Sequence, residues 1–247
     1  MSERFFLQVP MIDHQGKLID EQAHHAIHVM RLRAGDPIIL FDGSGKEFRA
    51  CVTKISKKEL AFLVVESVSS MPPMRPSITI ATALPKGDRQ KFLIEKLVEL
   101  GCDRMIPLKT QRSVAVAPTT AIERFKKSVI EACKQCGRNH LMEILPELTI
   151  DDLIRESDSW DMQKFLANPS TVDWLNATIV SQDRQVLIAI GPEGGFDTSE
   201  LNQFAQAEWR NVRLARHTLR TETAALLAVG LLVNQLEQRS IEQSRSQ

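Results

Sequence analysis

Val186-Leu187-Ile188-Ala189-Ile190 runs straight into Gly191-Pro192-Glu193-Gly194-Gly195-Phe196, and no other junction restricts the fold of this chain as much. Five apolar residues bounded by turn signals predict a buried strand, and the Gly/Pro cluster after them predicts a loop. Asp197 offers an N-cap with Glu200 three residues on, so the loop runs directly into a helix. Ligands of open α/β sheets settle outside the carboxyl ends of such strands, where glycines let the backbone approach closely. A second unit follows. Arg210 to Leu214 reads as another strand, Leu219-Arg220-Thr221-Glu222-Thr223-Ala224 as a polar turn, and Ala224 to Leu236 as an apolar helix. Two loops of this kind can form one pocket, although a Gly-Gly turn between strand and helix is common and most bind nothing. No Lys-Ser or Lys-Thr follows the glycines and no G-x-G-x-x-G is present, which argues against a phosphate loop or a dinucleotide fingerprint.

The 247 residues, 43% of them hydrophobic, suffice for one large or two smaller domains. Lysine plus arginine equals aspartate plus glutamate at 31 each, so net charge alone says nothing for nucleic acid. Its distribution says more. Residues 73–140 carry 13 basic against 6 acidic side chains, and residues 141–182 carry 2 against 8. Such asymmetry suits a polyanion, with a solvated helix face as the competing account. No apolar run is long enough to cross a bilayer and Met1-Ser2-Glu3-Arg4 leads into no signal-peptide core, so the expected compartment is the cytoplasm. Four cysteines fit a reducing compartment. Cys133-Lys134-Gln135-Cys136 has C-x-x-C spacing. Ile122, Phe125, Val129, Cys133 and Cys136 nevertheless recur at helical spacing on one apolar face, and no second ligand pair is near in sequence. Two packed thiols are expected, and no metal.

Along the chain, residues 4–70 read as a β-rich module: a strand at Arg4 to Val9, a short helix at Glu21 to Met30, and strands at Pro37 to Phe41, through Ile55, and at Leu60 to Val68. Short strands joined by Gly/Asp turns suggest a small barrel. His24, His25 and His28 lie on the helix without an acidic or cysteine partner, so surface or packing roles are expected. Met71-Pro72-Pro73-Met74-Arg75-Pro76 forbids helix and marks a linker, dividing the chain into domains 1–72 and 73–247. Beyond it come a strand at Ile78 to Leu84, a helix from about Gln90 to Leu100 stopped by Gly101, a strand at Arg104 to Leu108, and a helix capped by Thr120 and Glu123. Gln163 to Asn168 reads as one more strand. Alternating strand and helix implies parallel pairing with helices on the sheet faces. The final helix is apolar around most of its circumference, and dimerisation is its natural explanation.

Gly191-Pro192-Glu193-Gly194-Gly195-Phe196 with Leu219-Arg220-Thr221-Glu222-Thr223-Ala224 resembles the ribosomal RNA small subunit uracil-N3 methyltransferases, a family of the SPOUT class of S-adenosylmethionine enzymes. The resemblance extends through His28-Val29-Met30-Arg31-Leu32-Arg33-Ala34-Gly35-Asp36, Lys86-Gly87-Asp88-Arg89, Glu99-Leu100-Gly101, Arg112-Ser113-Val114 and Glu131 to Arg138. It departs at Cys136, where the family has serine, and at Gly137. The resemblance implies an α/β fold: an N-terminal PUA-like β-barrel followed by a SPOUT α/β domain with a C-terminal trefoil knot. It also implies a homodimer, S-adenosylmethionine as cofactor, and N3 of a uridine in 16S ribosomal RNA of the small ribosomal subunit as acceptor. The expected donor site comprises Leu166, Ala167, Gly191, Pro192, Glu193, Gly194, Gly195, Leu214, Leu219, Thr221, Thr223 and Ala224. Arg31, Arg33, Lys86, Arg89, Arg112 and Arg138 are the expected RNA contacts.

The catalytic candidates are Arg220, Glu222 and Glu193. Arg220 cannot accept a proton but can stabilise a deprotonated uracil. Glu222 in a first helical turn is held anionic by the helix dipole and is better cast as an anchor. Glu193 is the candidate proton acceptor, with loop bracing as its alternative. Two other classes compete: an RNA-binding protein of the same fold without methyl transfer, and an enzyme using the glycine loop for nucleotide phosphates.

Overall fold

Alternating apolar residues and continuous apolar runs build two separate sheets, each in its own compact unit. The computed structural model describes residues 3–8, 11, 13–69, 76–115, 118–176, 180–181 and 184–245. The first unit is Met1–Pro72 with Cys133–Leu141, and the second is Pro73–Ala132 with Met142–Gln247. The proline linker expected at Met71 to Pro76 lies, but for Pro76, outside the described residues.

In the first unit β1 (Glu3–Phe6), β2 (Gln15–Leu18), β3 (Pro37–Phe41), β4 (Lys46–Ile55) and β5 (Leu60–Ser69) form a sheet of order β1-β3-β4-β5-β2. The β1–β3 pair is parallel and the others are antiparallel. Phe48, Ala50 and Val52 of β4 turn inward while Arg49 and Thr53 stay exposed, the alternation of a sheet with one buried face. They pack with Phe5, Leu18, Ile38, Leu40, Leu60 and Phe62. Among the described residues no ladder joins β1 to β2, the end strands of this order. The helix expected over Glu21 to Met30 is α1 (Asp20–His24) followed by one π-helical turn, His25–Val29. His24 and His28 stack at 4.8 Å and are exposed.

The second unit alternates as its sequence predicts. Its elements are β6 (Ile78–Thr82), α2 (Arg89–Glu99), β7 (Arg104–Lys109), α3 (Thr119–Cys136), β8 (Glu143–Ile144), β9 (Leu148–Thr149), α4 (Ile150–Ser157), β10 (Met162–Ala167), β11 (Gln185–Ile190), α5 (Thr198–Gln206), β12 (Arg210–Val212) and α6 (Thr221–Arg245). The strands run parallel in the order β12-β10-β11-β6-β7-β8, with β9 beside β7. β6 and the stretch Val186 to Ile190 of β11 are buried throughout, the composition of central strands covered on both faces. Gly101 ends α2 at φ 89°, as expected of a C-cap glycine.

Three local expectations need correction. Thr120 is not a cap, because α3 begins at Thr119 and Ala121 N–H already donates to the Pro118 carbonyl at 2.8 Å. Cys133 is buried but Cys136 is exposed in the last turn of α3, so the two thiols do not pack alike. The turn expected over Leu219 to Ala224 is half helix, since α6 starts at Thr221 and Arg220 serves as its N-terminal boundary, accepting from Ala224 N–H at 2.8 Å. Three elements have no counterpart in the sequence reading: α4 and the short β8 and β9 occupy part of the acidic stretch 141–182. Thr149 caps α4 by accepting from Asp152 N–H at 3.2 Å, a local polar signal that hydrophobic periodicity does not register.

Candidate active site

The carboxyl ends of β12, β10 and β11 lie side by side, so the three loops that leave them converge on one cleft in the second unit. It encloses about 250 Å³. Ala167 is the last residue of β10 and Asn168 to Ser170 come from the loop after it, Gly191 to Glu193 with Gly195 and Phe196 from the loop after β11, and Leu214, Ala215 and His217 to Leu219 from the loop after β12. Ile190, Leu201, Thr221 and Ala224 complete the lining, which is mainly apolar with a few polar groups at its rim, the character of a small-molecule site.

Each loop is fixed by bonds that its sequence supplies. Gly195 N–H closes a turn onto the Pro192 carbonyl at 2.8 Å, and Gly195 has φ 69°, a value glycine adopts without strain. Asp197 and Glu200 form the expected capping box at the start of α5. Glu200 does a second job: it is 5% exposed, and its Oε1 accepts from Gln111 N–H at 2.8 Å. Arg112 Nη1 donates to the Gly194 carbonyl at 2.7 Å, so the turn after β7 braces the glycine loop from outside. Thr221 Oγ1 donates to the Gly191 carbonyl at 3.1 Å and ties α6 to the same loop. After β12, Arg213 donates to the Ala215 and Arg216 carbonyls at 3.0 Å each, with its guanidinium 5.5 Å from the Trp174 ring centroid.

Beside this cleft lies a second, of about 430 Å³, lined by Arg89, Glu193, Thr218, Leu219 and Arg220. Glu193, Thr218 and Leu219 line both and so form the wall between them. Arg89 Nη1 donates to Glu193 Oε1 at 2.6 Å and to Glu222 Oε1 at 3.2 Å. The Arg89 hydrogen bond holds the Glu193 carboxyl below the usual carboxylate range, helped by the Arg89 charge and, more weakly, by Arg220 and Lys86. Both carboxylates in turn raise the Arg89 guanidinium above its ordinary value. Glu193 is therefore a weak proton acceptor, and loop bracing is the account its geometry favours.

Of the expected donor-site residues, Ala167, Gly191, Pro192, Glu193, Gly195, Leu214, Leu219, Thr221 and Ala224 line the first cleft. Leu166 does not; it points into the core with Phe204 and Trp209, because alternate residues of a strand face opposite sides. Gly194 faces Arg112 instead, and Thr223 is exposed on α6. Arg220 is exposed on the second cleft, while Glu222 is 6% exposed and held by Arg89. Among the expected RNA contacts, Arg31, Arg33 and Lys86 are exposed, Arg138 is half-buried in the first unit, and Arg89 and Arg112 are engaged by the glycine loop and its neighbours. Sequence reasoning missed Asn168, Pro169, Ser170, Ala215, His217 and Thr218, which lie in loops and follow no period, and the apolar Ile190, Phe196 and Leu201. The Asn-Pro-Ser turn right after a buried strand was the available signal. Among the described residues no cluster of three or more His, Cys, Asp or Glu side chains could hold a metal ion, and no helix is long and apolar enough to cross a membrane.

The model of the RNA methyltransferase domain matches residues 72–233, and that of the RNA methyltransferase PUA domain matches residues 18–65. A ribosomal RNA small subunit methyltransferase E from Bacillus subtilis is 29% identical over 227 residues, covering 88% of this chain and 89% of the relative. That of Rickettsia conorii is 30% identical over 215 residues, covering 85% of each. The crystal structure of a ribosomal RNA small subunit methyltransferase E from Neisseria gonorrhoeae, bound to S-adenosyl methionine, superposes with a TM-score of 0.84 at 29% identity, covering 93% of this chain and 95% of that one.

Proposed function

This chain belongs to the RNA methyltransferase family, and from that premise we propose that it transfers a methyl group from S-adenosylmethionine to N3 of a uridine in 16S ribosomal RNA. The observation that carries the reading is the pair of adjoining clefts: a glycine-bordered apolar one sized for a nucleoside, separated by a single wall from one lined by Arg220 and Arg89.

The donor fits the first cleft on its own features. Ile190, Leu201, Leu214 and Leu219 offer apolar faces to a purine, and a Cβ added at Gly191 would stand 3.0 Å from the Phe196 ring, so the loop is built close around small backbone there. When bound, S-adenosylmethionine supplies an electrophilic methyl on a cationic sulfur. The chain's own task is to hold the acceptor base and favour its anion, because N3 of uracil is mostly protonated at neutral pH. Arg220 does the second by placing a permanent positive charge on the acceptor cleft. With Glu193 committed to Arg89, the N3 proton leaves to solvent rather than to that carboxylate.

The same family reading implies a homodimer, a trefoil knot and a cytoplasmic place of work. Supporting the first, Leu226, Leu227, Leu231 and Val233 of α6 are only partly buried within one chain, and Phe92 of the neighbouring α2 and Leu100 just past its end are exposed. Supporting the second, α6 returns across β6 and β11 after β12 has docked beside β10. We assign residues 1–72 to RNA binding and 73–247 to the methyltransferase domain.

Two experiments test the function. Titration calorimetry is expected to give binding of S-adenosylmethionine and S-adenosylhomocysteine and none of ATP; binding of ATP alone would favour the nucleotide-phosphate reading, and binding of none would favour an RNA-binding protein without methyl transfer. Mass mapping of 16S ribosomal RNA from cells lacking the protein is expected to show loss of one N3-methyluridine, and an unchanged RNA would overturn the proposal. For RNA contact, alanine at Arg31, Arg33 or Lys86 is expected to reduce the salt slope of binding by about one per charge and leave donor affinity unchanged. A triple variant with full RNA affinity at physiological salt would move the surface elsewhere.

A further inference from the structure

Arg89 is held in an unusual way for a residue with five donors. Both of its ion pairs use one nitrogen, Nη1, which meets Glu193 at 2.6 Å and Glu222 at 3.2 Å. Among the described residues no bond engages Nε or Nη2, and about a third of the side chain, 34%, is exposed on the second cleft. Its two anchors come from different segments, the glycine loop and the first turn of α6, and neither is spare. Glu222 is 6% exposed, and its Oε2 is buried without a partner. Burying a carboxylate with one oxygen unsatisfied is costly, so the pairing with Arg89 is what makes the site tenable. The arrangement fixes a planar guanidinium at the cleft while leaving part of its donor edge unused.

Arg220 lines the same cleft. Beside Glu193, already paired with Arg89, and Thr218, the two guanidiniums supply donors that can never act as acceptors. Uracil and cytosine differ in just this respect. N3 of uracil is flanked by two carbonyl acceptors, O2 and O4, whereas cytosine replaces O4 with an amino group, itself a donor. A guanidinium facing that amino group would leave both unpaired and desolvated. We propose that Arg89, oriented by Glu193 and Glu222, uses its unengaged donors together with Arg220 to hold O4 of the acceptor base, the carbonyl that cytosine lacks, and is thereby the residue that selects uracil over cytosine. The proposal rests on the uracil-N3 reading and adds the residue that enforces it. Sites built to hydrogen-bond a substrate group reject analogues lacking it far more strongly than apolar pockets do, so selection of this kind can be steep.

The test uses full-length enzyme, S-adenosylmethionine and small ribosomal subunits reconstituted with either the mapped target uridine or a cytidine in its place, with kcat, KM and donor affinity measured separately. Arg89→Gln, whose amide both donates and accepts, is expected to lower kcat/KM on the uridine substrate by at least about tenfold and to narrow the uridine-to-cytidine preference by a similar factor. Donor affinity should stay within about twofold. Arg89→Lys keeps a donor-only group and is expected to lose rate but retain the preference; it also decides the matter should the Gln variant not fold. Unchanged acceptor kinetics in a folded variant, or a loss of donor affinity as large as the loss of rate, would overturn the assignment. So would an unchanged preference accompanied by a shallower salt dependence of RNA binding, which would mark Arg89 as a phosphate contact. If the wild-type enzyme itself left N3 of the uridine unmethylated, the uracil-N3 reading would fall instead, so the two failures are distinguishable.

Discussion

Arg220→Ala is expected to methylate its RNA at least about 100-fold more slowly at neutral pH, the scale of losing one preorganised electrostatic donor, while binding the methyl donor normally. Arg220 lines the second cleft, proposed for the acceptor, and not the first, proposed for the donor, so the two effects should separate. The pH dependence carries the sign of the argument. A guanidinium beside the uracil favours its anion and lowers the ionisation of N3, so the wild-type rate levels off below uridine's own ionisation. Without Arg220 the rising limb moves to higher pH, and part of the rate returns there. Glu193 contributes no limb in that range. Its carboxyl is held below the usual value, first by the Arg89 hydrogen bond, and so its ion pair is lost only as the pH falls through that depressed value. Wild-type turnover by the variant under single-turnover conditions, or a slow variant with an unshifted profile, would rule the role out.

Gly191→Val is expected to weaken S-adenosylmethionine binding at least about 100-fold, a loss on the scale that a misplaced atom in a pre-formed site produces. Its Cβ would stand 3.0 Å from two atoms of the Phe196 ring, and that ring is itself packed edge-on against Phe204 at 5.2 Å. The ring has no easy retreat except into the cleft. Gly194→Ala makes the contrast, since a Cβ there meets the Arg112 Cδ at 3.3 Å and faces away from the lining. That variant should bind the donor within a few-fold of wild type. Calorimetry on the two folded variants checks the pair, and equal affinities would remove the glycine loop from the donor site.

How far the residues announced this arrangement depends on the kind of signal each carried. β11, the glycine loop and the Asp197 cap were legible because an apolar run, a Gly/Pro cluster and a capping box are all local. The alternation of the second unit was legible for the same reason. Leu166 was misplaced because a strand's two faces differ by one residue, and only the pairing to β11 and β12 decides which face meets the cleft. The bridging of Glu193 and Glu222 by Arg89 was invisible, since its partners lie 104 and 133 residues away and nothing local marks an ion pair of that span. Arg112 is the same case. Its charge suggested RNA, and its partner is a backbone carbonyl 82 residues on.

The parallel register of the second unit has a consequence for synthesis. β6 can pair early with β7, but its other edge must wait for β11, since Ile78 pairs with Val186, and the proposed donor cleft must wait longer, for Leu214, Leu219 and Thr221. Contacts this remote in sequence form slowly and late. A nascent chain therefore carries the first unit, with its exposed Arg31 and Arg33, well before it has anywhere to put a methyl donor. On the proposed assignment, ribosome-bound fragments that stop short of α6 are expected to touch RNA without modifying it, because the bond from Thr221 to the Gly191 carbonyl is not yet made.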